Sequence, residues 1–168
     1  MRRILALVFF AGTVPLVASS SALATATSAP SCTSSHLVVS HGVEQGAAGT
    51  SYLPIVFTNT GSASCQIWGA PGIQVGTLVK SVFTPVGPAA TNRNKGAMGS
   101  LHTVKKGGSI AVNLGLTETG NYTPSTCVAK PVNAASVTLG NVVHATLRIP
   151  ASTVCTKIAS TSTGLLGS

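Results

Sequence analysis

The chain of 168 residues contains no aspartate, and its only acids are Glu44 and Glu118. Ten lysines and arginines oppose them, for a formal charge of +8. The shortage excludes chemistry before any motif is sought. Acid–base catalysis by paired carboxylates would need both glutamates drawn together from distant parts of the chain. A magnesium or calcium site of several carboxylates has no donors to use. A Ser–His–Asp triad lacks its third member, and no G-x-S-x-G turn presents a serine. His41-Gly42-Val43-Glu44 offers a His/Glu pair, read here as a polar surface turn. Zinc is disfavoured because no C-x-x-C or H-x-x-x-H pair occurs. Met98 and His102 would share a face of a strand, a copper(I) vocabulary, but one methionine besides the initiator is too little. Aromatics make up 4% of the chain and do not interleave with basic residues, which argues against stacking on nucleic acid. Gly107-Gly108 follows two lysines without the G-K-[ST] order of a phosphate loop. The expectation is therefore a protein that is not an enzyme and carries no cofactor or metal. A secreted hydrolase or metal-binding protein with an unusual site is the alternative.

What is present begins with an export signal. Arg2 and Arg3 precede an apolar run from Ile4 to Val17, and Ala22-Leu23-Ala24 supplies small residues at the cleavage positions. Residues 1–24 read as a signal peptide cleaved near Ala24, and the protein as secreted, outside the cell or in its envelope. The run falls short of the ~20 residues that span a bilayer, and nothing later is longer, so no transmembrane segment is expected. Cys32 follows Ala29-Pro30-Ser31 and not a lipobox. Residues 25–31 read as a flexible leader, 32–159 as a single domain and 160–168 as a tail. Leu165-Leu166 is the tail's one candidate for docking. Cleavage removes two arginines and lowers the formal charge from +8 to +6.

Four cysteines then remain, Cys32, Cys65, Cys127 and Cys155, an even number behind an export signal. Two disulfides are expected. Three pairings are possible, and the sequential one, Cys32–Cys65 with Cys127–Cys155, is favoured. It closes two loops of about 30 residues, each stabilising by about 3–4 kcal/mol in the chain-entropy picture.

The body lacks helical periodicity and is rich in Val, Ile, Thr, Ser and Gly. Ser51 to Thr58 is the clearest strand: Leu53, Ile55 and Phe57 point one way, Tyr52, Val56 and Thr58 the other. Pro54 lies inside it and cannot donate to a ladder, so an edge or bulge is expected there. Cys65 to Trp68 reads as its returning partner. Further strands are expected at Leu37–Val39, Ile73–Val75, Leu78–Phe83 with Gly76 as a break, and Leu101–Val104. Lys105-Lys106-Gly107-Gly108 is read as a hairpin turn into Ile110–Leu114. A long loop from Glu118 to Pro131 precedes strands at Ser136–Leu139, Val142–Ile149 and Thr153–Ile158. Seven to nine short strands at this spacing predict an all-β protein, an Ig-like β-sandwich, with a small closed barrel as runner-up.

These residues also carry a resemblance. Cys32, Gly46-Ala47-Ala48-Gly49, the block Tyr52-Leu53-Pro54-Ile55-Val56-Phe57-Thr58-Asn59-Thr60-Gly61, and Cys65 with Gly69-x-Pro71-Gly72 occur in order. Val104-x-x-Gly107-Gly108-Ser109 and Cys127 follow. Together they resemble the secreted actinobacterial domain of unknown function 4232 over roughly residues 32–150. The resemblance implies an exported Ig-like β-sandwich, often lipid-anchored or fused to other envelope modules, and it implies no activity.

Two features bear on function. Arg93, Lys95, Lys105 and Lys106 lie in Gly- and Asn-rich segments that read as exposed loops, and an acid-poor surface carries positive potential. They are the candidate anion-binding residues, suited to an anionic envelope polymer. Trp68, beside Cys65, is expected to pack on a disulfide in the core as in Ig domains; exposed, it would anchor a partner. The function expected is a non-enzymatic module that binds or adheres in the cell envelope, its partner a protein or an anionic polymer.

Overall fold

Alternation shapes the longest central strand: from Thr50 to Asn59 every second side chain, Leu53, Ile55, Phe57 and Asn59, is buried and the others are half-buried. The structure, a computed structural model, describes residues 28–140 and 142–168; the expected signal peptide and its cleavage site lie outside them. The described residues form twelve strands: β1 (Leu37–His41), β2 (Gln45–Ala47), β3 (Thr50–Asn59), β4 (Cys65–Ile67), β5 (Gly72–Val79), β6 (Val82–Pro85), β7 (Thr91–Asn92), β8 (His102–Val104), β9 (Ser109–Thr117), β10 (Ala129–Leu139), β11 (Val143–Cys155) and β12 (Thr161–Thr163). Four of them (β3, β9, β10 and β11) are longer than any expected strand, and several have only two or three residues. The chain is all-β.

One sheet runs β1-β3-β9-β12-β7 with β2 also on β3; a second runs β11-β10-β5-β6; β4 and β8 form a two-stranded ladder. Leu53, Ile55, Phe57, Val112 and Leu114 from the first sheet share one apolar cluster with Ile73, Val75, Val132 and Val137 from the second. Two sheets facing one core are compatible with the expected sandwich. The cysteines pair sequentially, Cys32–Cys65 and Cys127–Cys155, as the sequence reading favoured.

Pro54 sits in a central strand and not on an edge. Its register partner on β9 is Asn113, and its carbonyl accepts from Gly42 N at 2.8 Å. A residue's N and C=O face the same neighbour, so the missing donor of Pro54 faces Gly42. There the neighbouring chain passes from β1 to β2 and no ladder is lost. Gly42 suits that crossing, because a Cβ would lie 3.3 Å from the Pro54 ring, a tight contact.

Other pairings differ from the expectation. Cys65–Ile67 pairs with β8 and not with β3, with Ile67 opposite His102. The Lys105–Gly108 turn therefore joins two different sheets and closes no hairpin between β8 and β9. Gly76 does not break its strand. It lies inside β5 because a Cβ would run into the Thr84 carbonyl and the Phe83 ring. The break comes at Lys80-Ser81, both with positive φ (45° and 67°), linking Val79 to Val82. The two strands expected around Pro150 are one, β11, with a register shift opposite Asn133; Pro150 falls at the irregularity, where its missing donor is tolerated. The loop from Glu118 ends sooner than expected, since β10 begins at Ala129.

Both ends of the expected domain extend further than composition suggested. Gln66 N donates to Pro30 O (2.7 Å) and Cys32 N to Gln66 O (2.8 Å), so the end of the presumed leader is tied to β4. The presumed tail provides β12, paired antiparallel with β9 and parallel with β7. Ser160, Thr161, Thr163 and Leu166 are buried.

Candidate functional site

The histidines do not converge. His36 Nδ1 lies 3.2 Å from Thr33 Oγ1 and His41 Nδ1 2.9 Å from Gly42 O, so the His41 ring turns to the adjacent carbonyl of Gly42 and not to Glu44. His144 is exposed on β11. Met98 lies in the loop before β8, so it shares no strand face with His102. His102 is half-buried, and its Nε2 is buried without a partner. Among the described residues no three His, Cys, Asp or Glu side chains gather as metal ligands would.

Trp68 is not in the core. Cys65 and Ile67 of β4 point inward, so parity turns Gln66 and then Trp68 outward, and the indole is 50% exposed. That parity was present in the sequence: a disulfide cysteine at 65 fixes which face of the strand is inside. One step beyond the Ile67–His102 pair, Trp68 meets the level of Leu101, which is 56% exposed, and Met98 nearby is 87% exposed. Trp68, Met98 and Leu101 with Gln66 and Ser31 line a cleft of about 440 Å³. A second cleft of about 410 Å³ is lined by Ile67, Gly69, Ala70, Leu139 and Val142, and Gln66 and Trp68 line both clefts. Neither lining contains a charged side chain.

The backbone beneath this face is tied down. Leu166 N donates to Gly69 O at 3.0 Å, so the end of the chain supports the turn that follows Trp68. Gly99, with φ of 73°, passes so near Gly69 that a Cβ would lie 3.4 Å from its nitrogen. The loop carrying Met98 is thereby held against the turn carrying Trp68.

The four expected anion-binding residues are all exposed, but they do not form one patch. Lys105 and Lys106 project from the turn after β8, where Gly107 N donates to Asn59 O at the end of β3. Arg93 lies at the other end of β3: its guanidinium carbon stands 5.6 Å from the centre of the Tyr52 ring. From Tyr52 to Asn59, at about 3.3 Å per residue, the separation is about 20 Å. That is more than twice the ~8 Å over which physiological salt screens surface charge. Lys95 follows Arg93 in the same loop.

The family model for a domain of unknown function (DUF4232) matches residues 32–164. The match takes in β12, which composition alone had assigned to a tail. No curated protein and no solved structure matches the chain.

Proposed function

The chain belongs to the family of domain of unknown function DUF4232, and from that premise we propose that it is an exported, non-enzymatic binding module that docks a protein of the cell envelope through the Trp68–Met98–Leu101 face. The observation that carries the reading is the uncharged, apolar composition of that face on a basic protein. Soluble domains rarely leave such residues contiguous and uncovered. Tryptophan and methionine are enriched at protein interfaces, and tryptophan anchors them when it enters a pocket. A polyanion would instead select lysines and arginines, and none lines either cleft beside the indole. Export rests on the reading of residues 1–24, and two disulfides suit an oxidising compartment.

Trp68 is the sole tryptophan, so its emission reports on this face alone. The test places a photo-crosslinking residue at Met98 of the exported protein in its native envelope. Discrete protein adducts that disappear when Trp68→Ser is added, and a blue shift of Trp68 emission with the purified adduct partner, support the reading. Adducts only with polysaccharide or lipid, or protein adducts unaffected by Trp68→Ser, overturn it.

A further inference from the structure

The outer face of the larger sheet carries a second concavity, unrelated to the Trp68 face. Register places its residues together. Tyr52 and Pro54 alternate with the buried Leu53 and Ile55 and so point outward. Gln45 is the ladder partner of Tyr52, and Asn113 that of Pro54; directly paired residues project from the same face. Arg93 arrives from β7, beyond β12 and β9. Its way to Tyr52 passes over Gly115, the β9 partner of Tyr52, which has no side chain to obstruct it. A Cβ at Gly115 would lie 3.4 Å from the Tyr52 ring and 2.6 Å from Ser162 Oγ, and one at Gly164 3.9 Å from Arg93 Nη2. The two glycines leave a trough in which the arginine side chain lies.

The result is a cleft of about 480 Å³, lined by Gln45, Tyr52, Pro54, Arg93 and Asn113. Its volume lies in the ordinary range of small-ligand sites. The guanidinium is held over the aromatic ring, so its donor fork is oriented before any ligand arrives. No acidic side chain lines the cleft; Glu44 precedes Gln45 but stays out of the lining. Two primary amides flank the fork. Each offers an acceptor and donors, the complement of neighbouring hydroxyls. Asn113 uses one N–H, at 3.5 Å, on Ser168 O.

We infer that this cleft binds a hydroxyl-bearing anion, with Arg93 taking a carboxylate or phosphate and Gln45 and Asn113 taking the adjacent hydroxyls. A sugar acid and a polyol phosphate present the same chemistry. The recognition is bidentate at the acid group, where a lysine would supply only a point charge.

The test is an NMR titration of the full exported chain with glucuronate, glycerol phosphate, glucose and inorganic phosphate, each at constant ionic strength. Saturable shifts at Arg93 Nε–H and at the side-chain amides of Gln45 and Asn113 are expected with glucuronate, glycerol phosphate or both. The responding probe identifies the source. Glucose and inorganic phosphate should bind at least tenfold more weakly than the better probe. Arg93→Gln should weaken binding at least tenfold. Asn113→Asp, which places an acid in the half-buried cleft, should do the same, and it decides the matter if Arg93→Gln does not fold. The inference is overturned by the absence of saturation at Arg93 or by glucose binding as well as glucuronate. It is also overturned by inorganic phosphate binding as well as the better probe, or by affinity retained in the folded variants. Trp68 emission should not respond to any of these ligands, which separates this site from the proposed docking face.

Discussion

Asn59 Nδ2 donates to the carbonyl of Val104 at 3.0 Å, joining residues 45 positions apart. The same amide donates to Ala63 O at 2.9 Å, and its Oδ1 accepts from Gly61 N at 2.9 Å. Its backbone N donates to Gly108 O and its carbonyl accepts from Gly107 N. Asn59 thus fastens the end of β3 to the β4–β8 ladder through its side chain and to the turn that presents Lys105 and Lys106 through its backbone.

Removing the Asn59 amide strands two carbonyls and one N–H at the meeting point of two sheets. An unsatisfied buried polar group costs about 1–3 kcal/mol. Asn59→Ala should therefore lower unfolding free energy by about 3 kcal/mol in urea denaturation. Asn59→Asp should cost more, because a carboxylate would face two carbonyl oxygens. A loss below about 1 kcal/mol for Asn59→Ala would show that water replaces the amide.

The β5–β6 hairpin turns through Lys80-Ser81, two L-residues held at positive φ. Two-residue hairpin loops of this kind favour Asn-Gly because glycine and asparagine adopt the left-handed region more easily. Neither side chain is buried. Lys80→Asn with Ser81→Gly should raise stability by about 1 kcal/mol, read as a higher denaturation midpoint at unchanged slope. A decrease would mean that the turn adopts another conformation in solution.

The sequence made some of this structure legible and hid the rest for physical reasons. The alternation in β3 and the sequential disulfides were readable because they depend on local pattern and on a small number of pairings. The β4–β8 ladder was not, because strand partnership is set by contacts far apart in sequence, and Cys65–Ile67 looks equally able to pair with β3. The β12 strand was hidden by composition. Thr161 and Thr163 are polar and yet buried, with hydroxyls lacking partners, against the usual expectation for a Ser/Thr-rich end. Ser160 earns no such signal in sequence either, although its Oγ accepts from Cys155 N at 2.9 Å. At the candidate sites, the individual residues Arg93 and Trp68 were singled out from sequence. Their settings were not: Tyr52 and Asn113 reach the Arg93 cleft only through β3–β9 register.

The outward indole has a consequence for stability. A tryptophan buried in a core costs about 3–5 kcal/mol when cut to alanine. Trp68 is half exposed and shares its lining with loop residues, so Trp68→Ala should cost about 1 kcal/mol or less. Urea denaturation followed by far-ultraviolet circular dichroism measures it without relying on the lost fluorophore. A cost of 3 kcal/mol would return Trp68 to a structural role and remove the main support for the docking face. A small cost combined with lost crosslinking at Met98 would separate binding from folding at this position.

The distance between the two basic regions sets how they act. Arg93 and the Lys105-Lys106 turn are about 20 Å apart along β3. At 0.15 M ionic strength the screening length is about 8 Å, and at 0.01 M it is about 30 Å. Lys105→Gln with Lys106→Gln should therefore leave acid binding in the Arg93 cleft within about twofold at 0.15 M. In 0.01 M salt the same variant should weaken it measurably, because the turn then lies within one screening length. The titration described for glucuronate and glycerol phosphate, repeated at both ionic strengths, checks this. A large effect of the lysines at 0.15 M would mean that the turn contacts the ligand directly, and that the two regions meet in solution although β3 holds them apart.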